Sequence, residues 1–279
     1  MPPHAESFAD EYSVAQASSR WWVIAPLLAA FVLLFALLSP IYYLNRWDFR
    51  RHTKRNPFYT SKLVRLQARY PLLYELAMLA QNFPIPHRVY RALPHFSGDV
   101  LQVGCGTGLL NRHLRGRSDI CFTNMDSNAN ALRLGVRLRR YSRVVHAHID
   151  KRTPLQDRSF DAILFARSFH HVRSHKKALR ECSRLLRDGG VVIIFDPVVL
   201  GGENEDDRSG YVANSSIDGL IWRFTRDTLA KHLRDCLPPT LFVSCVRSVR
   251  QLHVTNYNLF VPQTDVIAIL KKEESSPCT

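Results

Sequence analysis

One stretch, Asp99-Val-Leu-Gln-Val-Gly-Cys-Gly-Thr-Gly-Leu-Leu110, constrains the fold more than any other part of this chain of 279 residues. An apolar run (Val100, Leu101, Val103) stops at Gly104-x-Gly106-x-Gly108, and a helical pattern follows. Glycine has no Cβ, so a loop built from it lets a ligand approach the backbone closely. At the carboxyl end of a parallel strand, such a loop is where an open α/β sheet holds a nucleotide-like ligand. A glycine triplet alone also fits a tight turn, so its context matters. A second apolar run, Ile120 to Met125, ends in Asp126, 18 residues beyond Gly108. An acid at the tip of a second strand can accept hydrogen bonds from ribose hydroxyls, or cap the next helix. The spacing is GxGxG rather than the GxGxxG whose third glycine lets a helix pack near a pyrophosphate. It therefore favours an adenosine ligand without a diphosphate.

The rest of the chain keeps the same rhythm. Strands are expected at 99–103, 119–125, 143–149, 160–166, 190–196, 240–249 and 264–270. Helices are expected at 109–116, 127–139, 174–187 and 225–236, with two short ones (70–82 and 86–93) capping the domain. Strands interleaved with helices at this spacing imply a parallel sheet. The fold predicted is α/β: a Rossmann-like, mostly parallel seven-stranded sheet whose last strand runs antiparallel. Helix 174–187 carries Ala178, Leu179, Cys182, Leu185 and Leu186 at helical spacing and stops at Asp188-Gly189-Gly190. Long insertions at 197–224, polar and glycine-rich at 201–208, and at 251–263 lie where loops can build a substrate pocket. Trp222 and Tyr257 within them either line a lipophilic site or pack.

Four segments together resemble a class I S-adenosylmethionine-dependent methyltransferase, of the broad group that includes ubiquinone-biosynthesis-like enzymes. They are Asp99–Leu110, Asn124-Met-Asp126-Ser, Pro154–Val172 with its Ser-Phe160-Asp161 and His170-His171, and Ala178–Pro197 with its Gly189-Gly190 pair. The resemblance covers about residues 95–271. It implies S-adenosyl-L-methionine as cofactor, with Gly104, Gly106 and Gly108 lining its methionine and ribose part. It implies that Asp126 holds the ribose hydroxyls and that Asp150 sits by the adenine amine; the plainer alternative for Asp150 is a solvated turn. One departure is Gln102, where many relatives carry an acid.

Methyl transfer from a sulfonium is an in-line displacement that needs alignment and exclusion of water. A hydroxyl or amine acceptor also benefits from a base tuned near neutral pH. Candidates cluster after the fourth strand: Arg167, Ser168, His170 and His171. Histidine has a suitable ordinary pKa, but both histidines could equally pack at the junction of sheet and helix. Arg167 suits either an anionic substrate or the surface. Asp196, at the tip of the fifth strand, faces the pocket or caps the next segment.

The amino-terminal part is of another kind. No charged residue lies between Arg20 and Arg46, and residues 21–45 are almost entirely apolar. As a helix they would be roughly 36 Å long, enough to cross a hydrocarbon core of about 30 Å. Trp21 and Trp22 stand at one end and Tyr42, Tyr43 and Trp47 at the other, as in an aromatic belt. A signal peptide would begin basic, whereas Glu6, Asp10 and Glu11 open this chain. Residues 46–69 hold eight Lys or Arg against one acid, Asp48, which is half of the formal net charge of +14. Positive flanks stay cytoplasmic. The expected organisation is a disordered tail (1–20), a single-pass transmembrane helix (21–45), a basic connector (46–70) and a cytoplasmic catalytic domain (71–279).

Six cysteines show neither a CxxC pair nor metal-ligand spacing, so no metal is expected. An Asn-Pro-Pro-Tyr-type sequence, which would suggest methylation of a base or amide nitrogen, is missing after strand four; Phe165-Ala-Arg-Ser stands there. Arginines on helices 109–116 and 127–139 could form a phosphate patch, but the anchor argues against nucleic acid and for a small lipophilic substrate. The expectation is a membrane-anchored methyltransferase acting on an O- or N-nucleophile. The alternatives are a non-catalytic, membrane-tethered scaffold that keeps the cofactor pocket, and a nicotinamide oxidoreductase, against which the glycine spacing speaks. Oligomeric state is not legible.

Overall fold

The computed structural model describes residues 60–81, 88–141, 143–197, 224, 226–252 and 262–273, with scattered positions between 25 and 52. Two helices, α1 (Lys62–Arg69) and α2 (Pro71–Gln81), are joined through Tyr70. Then come β1 (Gly98–Val103), α3 (Leu109–His113), β2 (Ile120–Asp126), α4 (Ala129–Arg137) and β3 (Val144–His146). The chain continues with β4 (Phe160–Ala166), α5 (His175–Leu185), β5 (Leu186–Pro197), α6 (Arg226–Cys236), β6 (Leu241–Leu252) and β7 (Pro262–Lys272).

The strands form one sheet in the order β3-β2-β1-β4-β5-β7-β6. Pairings from β3 to β5 are parallel, and β7 runs antiparallel between β5 and β6. The seven strands and the reversed last one are as the sequence predicts. Strand order reverses direction between β1 and β4, and the crevice at their carboxyl ends is where α/β sheets bind ligands.

Alternation of side chains across the sheet divides the core. Leu101, Val103, Ile163, Phe165, Val192 and Ile194 pack with Leu179, Cys182 and Leu185 of α5 and Leu229 and Leu233 of α6. Val100, Ala162, Leu164 and Ile193 point the other way, to Leu110 of α3 and to Tyr90 and Leu93 around the 3-10 turn Arg88–Ala92. The opposite end of the sheet is closed by charge. Arg187 donates to Asp99 (2.8 Å) and Asp161 (2.6 Å), and Asp161 also accepts the Asp99 backbone N–H at 2.8 Å. Asp99 is thus engaged far from the crevice and does not stand in for the acid absent at Gln102.

Several boundaries differ from expectation for local reasons. Helix α5 ends at Leu185, and Leu186 turns extended (φ −72°, ψ 141°) to pair with Phe160. Gly189, expected to end that helix, instead sits in β5 at φ +73°, beside the irregularity that separates the Phe160 and Ala162 pairings. The third strand is three residues long rather than the seven of 143–149. Part of the expected connector is helical, because Ser61 caps α1 by accepting the Val64 N–H at 3.2 Å. Residues 1–20 and most of 21–45 lie outside the described residues. The expected transmembrane helix falls on that stretch and so lies outside the described residues; among the described residues no helix is long and apolar enough to cross a membrane.

Candidate active site

The glycine loop leaves β1 at the crevice, and its three glycines meet three different demands. All are left-handed, with φ of +68° at Gly104, +58° at Gly106 and +86° at Gly108. A Cβ on Gly104 would lie 2.5 Å from the Ser168 side chain, and one on Gly108 would lie 2.4 Å from the Tyr141 ring. A Cβ on Gly106 would meet nothing within 4 Å. Gly104 and Gly108 therefore admit protein side chains, and Gly106 alone opens onto free space.

Asp126 borders that space. Its carboxylate accepts the Gly106 N–H at 2.7 Å and the Asn128 N–H at 2.8 Å. Burial pushes its pKa up, while the amides of Asn128 and Gly106 pull the other way. A carboxylate offers about four lone-pair sites, so two amides leave capacity for sugar hydroxyls. The capping of α4 falls not to Asp126 but to Asn128, whose side chain accepts from Asn130 (3.0 Å) and Ala131 (3.3 Å). An adenosine-bearing cofactor fits here: the loop is bare at Gly106 and the acid stands beside it. Gln102, on β1 below the loop, is 3% exposed, and its Oε1 meets no hydrogen-bond partner among the described residues. An amide at that position avoids burying a charge.

Residues the sequence did not single out hold the loop from outside. Glu75 of α2, 4% exposed, accepts from the Thr107 hydroxyl and takes both guanidinium nitrogens of Arg140 at 2.7 and 2.9 Å. Arg140 also donates to the Thr107 carbonyl at 3.0 Å. Tyr141 donates to the Gly106 carbonyl at 2.6 Å, and burial drives its pKa upward, so it stays protonated. Asn128 and Asn130 donate to the carbonyls of Ala68 (3.0 Å) and Arg69 (3.4 Å), pinning the end of α1 over the start of α4. The one signal in sequence was a lone Glu within an apolar helix.

The residues after β4 divide. Arg167 is left-handed (φ +60°), donates its N–H to the Phe195 carbonyl at 2.6 Å and its guanidinium to buried Asp265 of β7 at 2.9 Å. It ties β4 to the far strands. His170 lies in the 3-10 turn Phe169–His171 and is 3% exposed. Asp196 accepts its backbone N–H at 2.8 Å and faces its Nδ1 at 3.0 Å. In the tautomer that donates from Nδ1, the Nε2 carries the lone pair. The His171 ring lies 4.0 Å from that of His170 and is half-buried. Asp150 sits in the turn after β3, on the rim of a groove of about 490 Å³ shared with Lys151, Arg152, Lys177, Arg180, Glu181 and Arg184. Trp222 and Tyr257 lie outside the described residues. Among the described residues no group of His, Cys, Asp and Glu is arranged to hold a metal ion.

The sheet order, the reversed seventh strand and the glycine loop facing an acid define the class I methyltransferase fold. Solved structures agree on the fold. A methyltransferase from Methanosarcina mazei superposes with a TM-score of 0.52 at 16% identity, covering 68% of this chain and 99% of that one. One from Thermotoga maritima gives 0.52 at 21% identity over 75% and 99%. Residues 101–194 match the methyltransferase domain family, and the chain carries a class I S-adenosylmethionine-dependent methyltransferase domain. It is similar to the demethylmenaquinone methyltransferase of Thermotoga maritima, 29% identical over 136 residues, covering 47% of this chain and 58% of that protein. It is also similar to the 27-O-demethylrifamycin SV methyltransferase of Amycolatopsis mediterranei, 26% identical over 163 residues, covering 53% and 57%. The chain thus spans little more than half the length of these curated relatives.

Proposed function

We propose that this protein is a membrane-anchored methyltransferase that moves a methyl group from S-adenosylmethionine to a small lipophilic O- or N-nucleophile. The observation that carries the reading is the open space at left-handed Gly106 beside the Asp126 carboxylate, 2.7 Å from the Gly106 amide. Gly106 and Asp126 would hold the ribose, the backbone of Gly104 and Gly108 the methionine end, and Asp150 the adenine side. When bound, the cofactor supplies an electrophilic methyl on a positively charged sulfur.

The chain's own residues do the rest. Glu75, Arg140 and Tyr141 fix the shape of the loop before the ligand arrives, which avoids an ordering cost on binding. His170, oriented by Asp196, would take the proton of the acceptor at Nε2, an atom buried in this structure that the acceptor must reach. Arg167 keeps the tip of β4 in place through Asp265. Two similar proteins are named for a demethylmenaquinone and a 27-O-demethylrifamycin SV, and these names support a small-molecule acceptor. Residues 21–45, without a charge, support a single-pass anchor, and the basic stretch after it supports a cytoplasmic domain.

Calorimetric titration of the detergent-solubilised full chain with S-adenosylmethionine tests the first step. Micromolar affinity is expected, and no heat at millimolar ligand would end the proposal. Incubation with methyl-labelled cofactor and a total lipid-soluble extract, followed by mass analysis, tests the second. Binding with no labelled product from lipids, extract or protein would leave the scaffold reading in its place.

A further inference from the structure

The described side chains of α2, residues 71–76, are arranged inside out. Leu72, Leu73 and Leu76 share a 100° arc at helical spacing and are 60%, 42% and 57% exposed. The one charged residue of the helix, Glu75, is turned inward to the glycine loop. Helix α1 repeats the arrangement with charge added. Lys62, Arg65, Leu66 and Arg69 fall on one arc, and all are exposed. Tyr70, at the junction, is half-exposed, with the Arg69 guanidinium 5.5 Å above its ring.

Leucines left half in water forgo part of the gain of burial, and a contiguous patch of them marks a surface that something covers. The chemistry around the patch selects the occupant. Leucines and an aromatic ring beside a run of cations, with no exposed acid on the same face, suit a bilayer interface with anionic headgroups. The chain just before α1 adds Arg46, Arg50, Arg51, Lys54 and Arg55, and Tyr43 and Trp47 are exposed there too.

We infer that the outer face of α1 and α2 docks on an anionic lipid surface. Leu66, Tyr70, Leu72, Leu73 and Leu76 enter the acyl boundary, and Lys62 and Arg69 meet headgroup phosphates. This deepens the membrane reading above, adding a second contact distinct from the apolar segment 21–45. The inner face of the same pair grips the glycine loop through Glu75 and α4 through Asn128 and Asn130. Docking therefore sets the cofactor cradle about one helix diameter, roughly 10 Å, from the surface in which a lipophilic acceptor dissolves.

The test is photolabelling of the full chain in vesicles that carry a diazirine-bearing lipid, with adducts mapped by mass spectrometry. Mixed phosphatidylcholine–phosphatidylglycerol vesicles should place adducts on 66–76. Labelling there should fall about tenfold or more in the K62E/R69E double variant, since each cation near an anionic surface contributes about 1 kcal/mol. The L72E/L76E double variant should fall as far, with adducts on 21–45 and cofactor affinity unchanged in both variants. Adducts confined to 21–45 would overturn the docking surface and leave the anchor standing. Adducts on neither segment would overturn both. Labelling of 66–76 that survives both variants, or copy-to-copy cross-links through Leu72 and Leu76, would also overturn it, the latter in favour of self-association.

Discussion

At the residue scale, Gly106 is where fold and ligand demands separate. Gly106→Val puts a side chain into free space, so packing loses nothing, and the left-handed backbone costs about 1–2 kcal/mol. The folded domain should persist by circular dichroism while calorimetric binding of S-adenosylmethionine disappears. Gly108→Val should instead unfold the domain, because Tyr141 and Arg140 already fill that volume. Glu75→Ala strands Arg140, 10% exposed, without its carboxylate and should cost about 3–5 kcal/mol in denaturant titration. Glu75→Gln keeps the volume, so a weaker cofactor affinity in that variant reads the loop rather than the fold. His170→Ala should lower turnover about a hundredfold with cofactor affinity unchanged, and Asp196→Asn should follow it; unchanged turnover in both would assign the pair to packing.

At the scale of elements, the strands and the glycine loop were legible because periodicity two and chain punctuation are local signals. Val100, Leu101 and Val103 ahead of Gly104 needed no partner to be read. The roof of the site was not legible. Glu75 lies 32 residues from Thr107 and 65 from Arg140, and nothing local announces such a contact. The junction of α5 and α6 was equally hidden. His175 receives its partner, His232, at 2.8 Å and donates from Nε2 to the Phe169 carbonyl at 2.9 Å. Burial lowers the His175 pKa to about 4. The unfolded chain, with an ordinary histidine near 6.5, binds more protons than the folded one between these values. Stability from this residue is therefore complete above about pH 6.5 and is lost as pH falls toward 4, by up to about 3 kcal/mol. Denaturant midpoints of His175→Phe against the parent should converge with acid; parallel curves from pH 7 to pH 4 would remove the assignment.

For the molecule as a whole, two questions of assembly follow. The Asn45 side chain accepts the Leu63 N–H at 3.2 Å and Phe49 is 2% exposed, so the domain's packing reaches well before α1. A shortened chain should thus begin near residue 43 rather than within the basic stretch. Sedimentation with anionic vesicles should show that chain bound at low salt and released at high salt, whereas the full chain stays bound at both. The other question concerns synthesis. Strand β7 comes after β6 in the chain yet inserts between β5 and β6. On the ribosome, β5 waits with a bare amide edge, and β6 has nothing to zip against until residues 262–272 emerge. Vectorial growth thus leaves the sheet split until late, and this non-local closure is the step at which nascent chains are most exposed to mispairing and to chaperone capture.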